Sequence, residues 1–234
     1  MRYRVAVDVG GTFTDVVCAD SQGRVTFVKA PSTPHDQSLG VMDGLERLSA
    51  TLGVSLSQLL ANTERLVHGM TVATNALLER NGAKVGLLTT AGHRDVLEMR
   101  EGLKPERYNL RLARAEPLIP RHLRIGVTER LRADGSVHTA LDETSVRHAL
   151  EHLMKNGVEA IAVAYLHSYT DGSHERRTRE LIETVAPDMY VSLSSEVLPR
   201  IKEYQRVSTT AINAYVGPLI KGYLNGLQQR LTDA

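Results

Sequence analysis

Tyr3-Arg4-Val5-Ala6-Val7-Asp8-Val9 alternates along its length and stops at Gly10-Gly11, the pattern of a half-buried strand running into a turn. A second strand is expected over residues 13–19 and, beyond Ser21-Gln22-Gly23, a third over 24–30. Short strands joined by tight turns predict an antiparallel meander, ended by Pro31 and Pro34. The apolar period then becomes helical. Val41, Leu45, Leu48 and Leu52 share one helix face, and Gly53 is the expected stop. A short strand around Leu66-Val67-His68 leads into a helix over 72–80, closed by Gly82. Residues 84–90 read as a buried strand and 92–100 as a short helix. Residues 101–140 carry Pro105, Pro117 and Pro120, many arginines and a hairpin signal around Ala133-Asp134-Gly135-Ser136, and read as an insertion. Val146, Ala149, Leu150 and Leu153 form a helical stripe before Gly157. A fully apolar strand (160–165), a polar helix (173–185) and a strand (190–193) follow. Val207, Ala211, Ala214 and Tyr215, then Ile220, Tyr223, Leu224, Leu227 and Leu231, predict a helical end that bends or restarts at Gly217-Pro218.

Three turn-linked strands followed by alternating helices and strands predict an α/β fold with a mixed sheet. That order is the ribonuclease H-like core used by actin-like ATPases. Residues 1–100 and 141–200 are expected to form such a half domain, with 101–140 as a hairpin-bearing insertion and 201–234 as a C-terminal connector helix. Composition changes this little. The 234 residues, 42% hydrophobic and 24% charged, are those of an ordinary globular protein. A net charge of +1 without a basic stripe gives no reason to expect a nucleic-acid partner. No run of about 18 apolar residues predicts a membrane span, and MRYRVAVDVG lacks a signal-peptide pattern. Cys18, the only cysteine, excludes an internal disulfide and a zinc site built on several thiolates. A reducing cytoplasm is the expected setting.

The candidate chemistry lies in Asp8-Val9-Gly10-Gly11-Thr12-Phe13-Thr14-Asp15. Glycines at a strand-to-strand turn can adopt backbone angles closed to other residues and leave their amides free to cradle an anion. Thr12 and Thr14 add hydroxyl donors. Asp8, at the strand end, suits a hydrated Mg²⁺. Gly-Gly alone fits a ligand-free hairpin better; the flanking acid and the Thr-rich second strand turn the balance towards phosphate. No P-loop or dinucleotide fingerprint is present. His148-Ala149-Leu150-Glu151-His152 matches an inverted zinc-protease pattern. Both histidines lie off the apolar stripe, however, and a catalytic zinc needs a cavity and a third ligand.

DVGGTFTDVV resembles the first phosphate motif of the actin, sugar-kinase and heat-shock-chaperone ATPase superfamily. In the form Gly10-Gly11-Thr12-Phe13-Thr14-Asp15 it resembles the hydantoinase A / 5-oxoprolinase family in particular. Residues 68–98, 116–137, 162–177 and 191–218 agree with that family in order, so the resemblance covers most of the chain. It implies ATP and Mg²⁺ as cofactors and ring-opening hydrolysis of cyclic amides such as hydantoins or 5-oxoproline, through phosphorylation. Relatives carboxylate ketones, and Glu98–Leu112 (EMREGLKPERYNLRL) looks closer to that branch. A small-molecule kinase and a non-enzymatic assembly module are the other readings. Carried over, Asp8 (also the metal ligand), His68 and Asn75 take catalytic roles, and Gly10, Gly11, Thr12, Thr14 and Asp15 bind the phosphates. Thr71, Thr74 and Arg100 contact a small-molecule substrate, with Met70 standing where the family usually has Thr. His68 judged alone is more often a packed histidine. Arg200, Glu203 and Arg206 either line the cleft or solvate a helix. Actin-like enzymes close on ATP with a second glycine-rich turn, which is missing here. The chain therefore reads as an N-terminal half whose partners are a C-terminal half or partner subunit and a hydantoinase B-like subunit, with weak or no hydrolysis alone.

Overall fold

The computed structural model describes residues 1–33, 35–102, 106, 108–112 and 116–234. The expectations at Pro34 and Pro105, and part of Glu98–Leu112, lie outside the described residues. The chain divides into two compact units, Met1–Asn81 with Leu219–Ala234, and Gly82–Pro218.

In the first unit, β1 (Tyr3–Val9), β2 (Phe13–Asp20) and β3 (Val25–Pro31) form the expected meander. Helices α1 (Gln37–Leu52) and α2 (Leu56–Ala61) follow, then β4 (Thr63–Met70) and α3 (Val72–Glu79). The sheet order is β3-β2-β1-β4, with β4 parallel to β1, so the sheet is mixed. Alternation decides its two faces: Val5, Val7 and Val9 are buried with Val16 and Cys18, while Arg4, Ala6 and Asp8 stay exposed. Val41, Leu45 and Leu48 of α1 complete that core, as their spacing predicts. α1 lies close to the sheet because Gly44 faces Val16; a Cβ at Gly44 would sit 2.6 Å from Val16 Cγ2. Asp36 caps α1 by accepting from the Ser38 amide, and Gly53 ends it at φ 70. α2 was not expected. Its signal is the Ser55–Gln58 capping box.

The second unit opens with β5 (Val85–Thr90) and α4 (Val96–Met99), shorter than the helix expected over 92–100. A 3-10 turn at Arg121–Leu123 leads into β6 (Arg124–Val127). The hairpin strands β7 (Arg130–Leu131) and β8 (Val137–Thr139) come next, then α5 (Glu143–Lys155) and β9 (Ala160–Ala164). Helix α6 (Ser173–Val185), β10 (Tyr190–Leu193) and α7 (Ser194–Val197) follow. Here β10-β9-β5-β6 form an all-parallel sheet. Its inner strands β5 and β9 are buried at every residue, which is why their sequences are apolar without alternation. β6, inside the stretch expected as an insertion, is an edge strand of this sheet. The α5 stripe is buried as expected, and His148 and His152 are exposed, with His152 Nε2 3.0 Å from the His122 carbonyl oxygen.

The last helix, α8 (Glu203–Asp233), is one run of 31 residues with Pro218 inside it, so of the bend or restart expected at Gly217-Pro218 the restart does not occur. Pro218 nonetheless marks a division: residues up to it belong to the second unit, and Leu219 onward to the first. Leu227 enters the first unit's core, whereas Leu224, expected on the same face, is 43% exposed. Arg206 is buried and donates to the Arg200 and Tyr165 carbonyls, so it is a structural cation and not a solvating one.

Candidate functional site

The turn between β1 and β2 is held from one side by a short polar strap. Ser32, just past β3, donates from its hydroxyl to the Gly10 carbonyl at 2.8 Å and from its amide to the Thr12 carbonyl at 2.9 Å. Thr14 Oγ1 lies 3.1 Å from Ser32 Oγ and is fully buried. The Thr14 hydroxyl therefore shapes the turn and does not reach a ligand, contrary to expectation; as the partner of Val9 across the ladder it points into the core.

The glycines serve differently from expectation. Neither has a positive φ. Gly10 supplies room, because a Cβ there would meet the Phe13 carbonyl oxygen at 3.1 Å; at Gly11 a Cβ would make an ordinary contact, 3.6 Å from Asn75 Nδ2. The Gly10 amide is spent on the Phe13 carbonyl at 3.0 Å, closing the turn. Among the described residues, the amides of Gly11 and Thr12 donate to no protein group. These two exposed amides are the donors left for an anion.

Asp8 is exposed one residue from the strand's end, beside Asp15 on β2 and Gly69 on β4. A Cβ at Gly69 would stand 3.3 Å from Asp8 Oδ1, so glycine there keeps the carboxylate clear. Asp15 pairs with Lys29 at 3.2 Å, leaving Asp8 as the less engaged acid. Among the described residues no three metal-ligating side chains gather.

His68 stands in register with buried Val7, so it lies on the face opposite Asp8. Its Nε2 is 2.6 Å from the Tyr223 hydroxyl on α8. Burial pushes His68 below its ordinary value, against the opposing pull of the Asp8 charge. Burial likewise pushes the Tyr223 hydroxyl up to about 12. The structure thus separates His68 from the Asp8 group it was expected to join. Thr71 and Asn75 do come to the turn: Thr71 donates its amide to the Val9 carbonyl at 3.2 Å, and Asn75 Nδ2 reaches Thr71 Oγ1 at 3.4 Å. Thr74 is exposed on α3. Gly11 and Asn75 line a groove of about 530 Å³ with Asp36, Glu79, Tyr223 and Gly226, so the turn opens onto free space. Arg100 belongs to the second unit, where it lines a recess of its own.

This turn, in this order of elements, matches known proteins. The model of the hydantoinase/oxoprolinase N-terminal region matches residues 4–186. The chain belongs to the hydantoinase/oxoprolinase family. Caprolactamase subunit alpha from Pseudomonas jessenii is 42% identical over 95% of the chain, and the acetophenone carboxylase gamma subunit from Aromatoleum aromaticum is 37% identical over 91%. The chain spans about a third of those relatives' length, 32% and 31%. The crystal structure of the ATP-dependent caprolactamase from Pseudomonas jessenii superposes with a TM-score of 0.88 at 40% identity, covering 98% of this chain and 33% of that one. The fold class is the expected one, a mixed α/β arrangement of the actin-like ATPase type.

Sequence reasoning missed three residues of the site. Ser32 carries no local signal, because its partner Gly10 lies 22 positions away. Tyr223 reads only as a member of an apolar stripe. Asp36 is a recognisable N-cap type, but its bond to Arg230 at 2.8 Å, tying α1 to the end of α8, is tertiary.

Proposed function

We propose that this chain supplies the phosphate-gripping half of an ATP-dependent enzyme that opens cyclic amides by hydrolysis. The carrying observation is the pair of unengaged amides at Gly11 and Thr12, on a turn pinned by Ser32 and flanked by Asp8. Membership of a family with an ATP-dependent lactamase relative supports it. ATP, when bound, supplies a phosphoryl group that turns an amide oxygen into a leaving group. The protein's part is to hold and orient. The Gly11 and Thr12 amides donate to phosphate oxygens, with the exposed Thr12 hydroxyl adjacent, and Asn75 closes the groove side. Asp8 fits Mg²⁺, which keeps most of its waters and takes one or two carboxylates alongside phosphates. Thr71 and Thr74 present the start of α3 to the substrate. His68 is a positioning residue that acts through Tyr223.

In the whole protein the remaining phosphate donors come from a C-terminal half or partner subunit, with a hydantoinase B-like subunit completing the enzyme. A dry, preorganised site is needed for charge stabilisation, so this chain alone turns ATP over weakly or not at all. The setting is the cytoplasm, where ATP is abundant and the lone Cys18 stays reduced. Likeness to the acetophenone carboxylase gamma subunit favours ketone carboxylation as the second reading. One assay separates them: a full-length protein containing this chain, with its partner subunit, is given lactams or ketones with bicarbonate. The proposal expects phosphate released together with ring-opened product. Carboxylated ketone supports the second reading, and a stable phosphorylated product indicates a kinase. Asp8→Ala is expected to reduce turnover at least a hundredfold, on the order of 3 kcal/mol of lost stabilisation; unchanged turnover points to an assembly role.

A further inference from the structure

The second unit contains a recess of about 560 Å³ bordered by residues of the β5–α4 segment, the loop after β9 and the start of α8. Among the described residues four non-glycines have a positive φ, and three of them line this recess: Arg100 (φ 57, ψ −135), His167 (φ 59) and Lys202 (φ 76). Such backbone costs on the order of 1–3 kcal/mol per residue, and its clustering marks binding sites more often than scaffolding. Arg130 joins Arg100 and Lys202 as the third cation, and its Nη1 lies 3.0 Å from His93 Nε2. His93 is therefore the acceptor in that pair and neutral, and burial, then the Arg130 charge, hold it below its ordinary value.

Of the acids around the recess, Asp95 is ion-paired, Glu101 is hydrogen-bonded and Glu203 also borders it. Asp95 takes two bonds from Arg121, at 2.9 and 3.0 Å, and Glu101 accepts from the Gln205 amide. By contrast, among the described residues Arg100 reaches only the Tyr204 hydroxyl, at 3.4 Å, and neither Arg130 nor Lys202 meets a carboxylate. Cations brought together by strained backbone, with no carboxylate within ion-pair distance among the described residues, offer charge to an anion from outside. Val96, Met99 and Leu166 add an apolar part to the same wall. Glu101 and Glu203 border it as well and would repel a phosphate dianion more than a single carboxylate.

We propose that this recess binds the carboxylate of a small aliphatic acid. Arg100 and Arg130 hold the anionic head, Lys202 supplies the third positive charge, and Val96, Met99 and Leu166 receive the hydrocarbon chain. None of these residues belongs to the phosphate turn.

The test is isothermal titration of the 234-residue chain with pentanoate, with its uncharged isostere pentanamide, and with inorganic phosphate. Three variants, Arg130→Gln, Arg100→Gln and Arg100→Gly, are titrated in parallel, with circular dichroism and thermal unfolding as the check on folding. Pentanoate is expected to bind at least tenfold more tightly than either pentanamide or phosphate. Each arginine substitution is expected to weaken pentanoate by about tenfold, the scale of one lost charge-assisted hydrogen bond. Arg100→Gly separates binding from folding, because glycine tolerates that backbone: the variant is expected to be at least as stable as the parent yet to lose affinity. Equal binding of pentanoate and pentanamide, tighter binding of phosphate, no binding of pentanoate, or full affinity in folded Arg130→Gln would each overturn the assignment.

Discussion

Ser32 donates to Gly10 while sharing its hydroxyl with buried Thr14, so one side chain fixes the carbonyl side of the turn and leaves the amide side outward. Ser32→Ala is expected to cost about 1 kcal/mol, the net worth of an internal hydrogen bond, and to loosen the turn; denaturant unfolding reads the first, amide exchange at Gly11 and Thr12 the second. Tyr223→Phe leaves the half-buried His68 Nε2 without its partner, and a loss of roughly 1–3 kcal/mol is expected in the same unfolding assay. His68 also sets a pH dependence. Its folded value lies below the ordinary 6.5, so in the interval between the two the unfolded chain binds more protons. Stability is then full above about pH 6.5 and falls as the pH drops towards the folded value; His93 contributes with the same sign. Urea titrations at about pH 7.5 and about pH 5.5 are expected to show this loss, and His68→Gln to reduce it. A loss unchanged in His68→Gln would assign the effect elsewhere.

At the scale of elements, close approach is what the fold depends on. Gly44 gives α1 its distance from β2, and Gly86 does the same for Leu153 of α5 against β5, where a Cβ would lie 2.7 Å from Leu153 Cδ1. Gly44→Leu is expected to destabilise by roughly 1–3 kcal/mol in spite of leucine's better helix propensity, because the clash is with a β-branched core residue. Thermal unfolding decides it: a stabilised variant would show that α1 can move off without cost. Periodicity made most elements legible beforehand. The β1 alternation, the α1 and α5 stripes and the apolar run of β9 each encode a face. Legibility failed where the deciding partner is remote in sequence. Gly10 and Gly11 do not take the left-handed angles open to glycine, and Gly10 provides space instead; strand register turns the Thr14 hydroxyl inward. Likewise His68 and Asp8 differ by face, which only the pairing of β1 with β4 reveals.

Across the whole molecule, two units each carry a candidate site, with α8 running through both. The function proposed above puts a nucleotide in the first. At that site the proposed roles are specific: two backbone amides, Gly11 and Thr12, donate to phosphate oxygens while Asp8 manages the cation. Amide-resolved NMR of the 234-residue chain during titration with magnesium and a non-hydrolysable ATP analogue, into the millimolar range, addresses them directly. The account expects the largest saturable shifts at Gly11 and Thr12, with Gly69 next to Asp8 responding only when magnesium is present. Saturable shifts clustered away from this turn, or an unperturbed Gly11 and Thr12 at saturation, would contradict it.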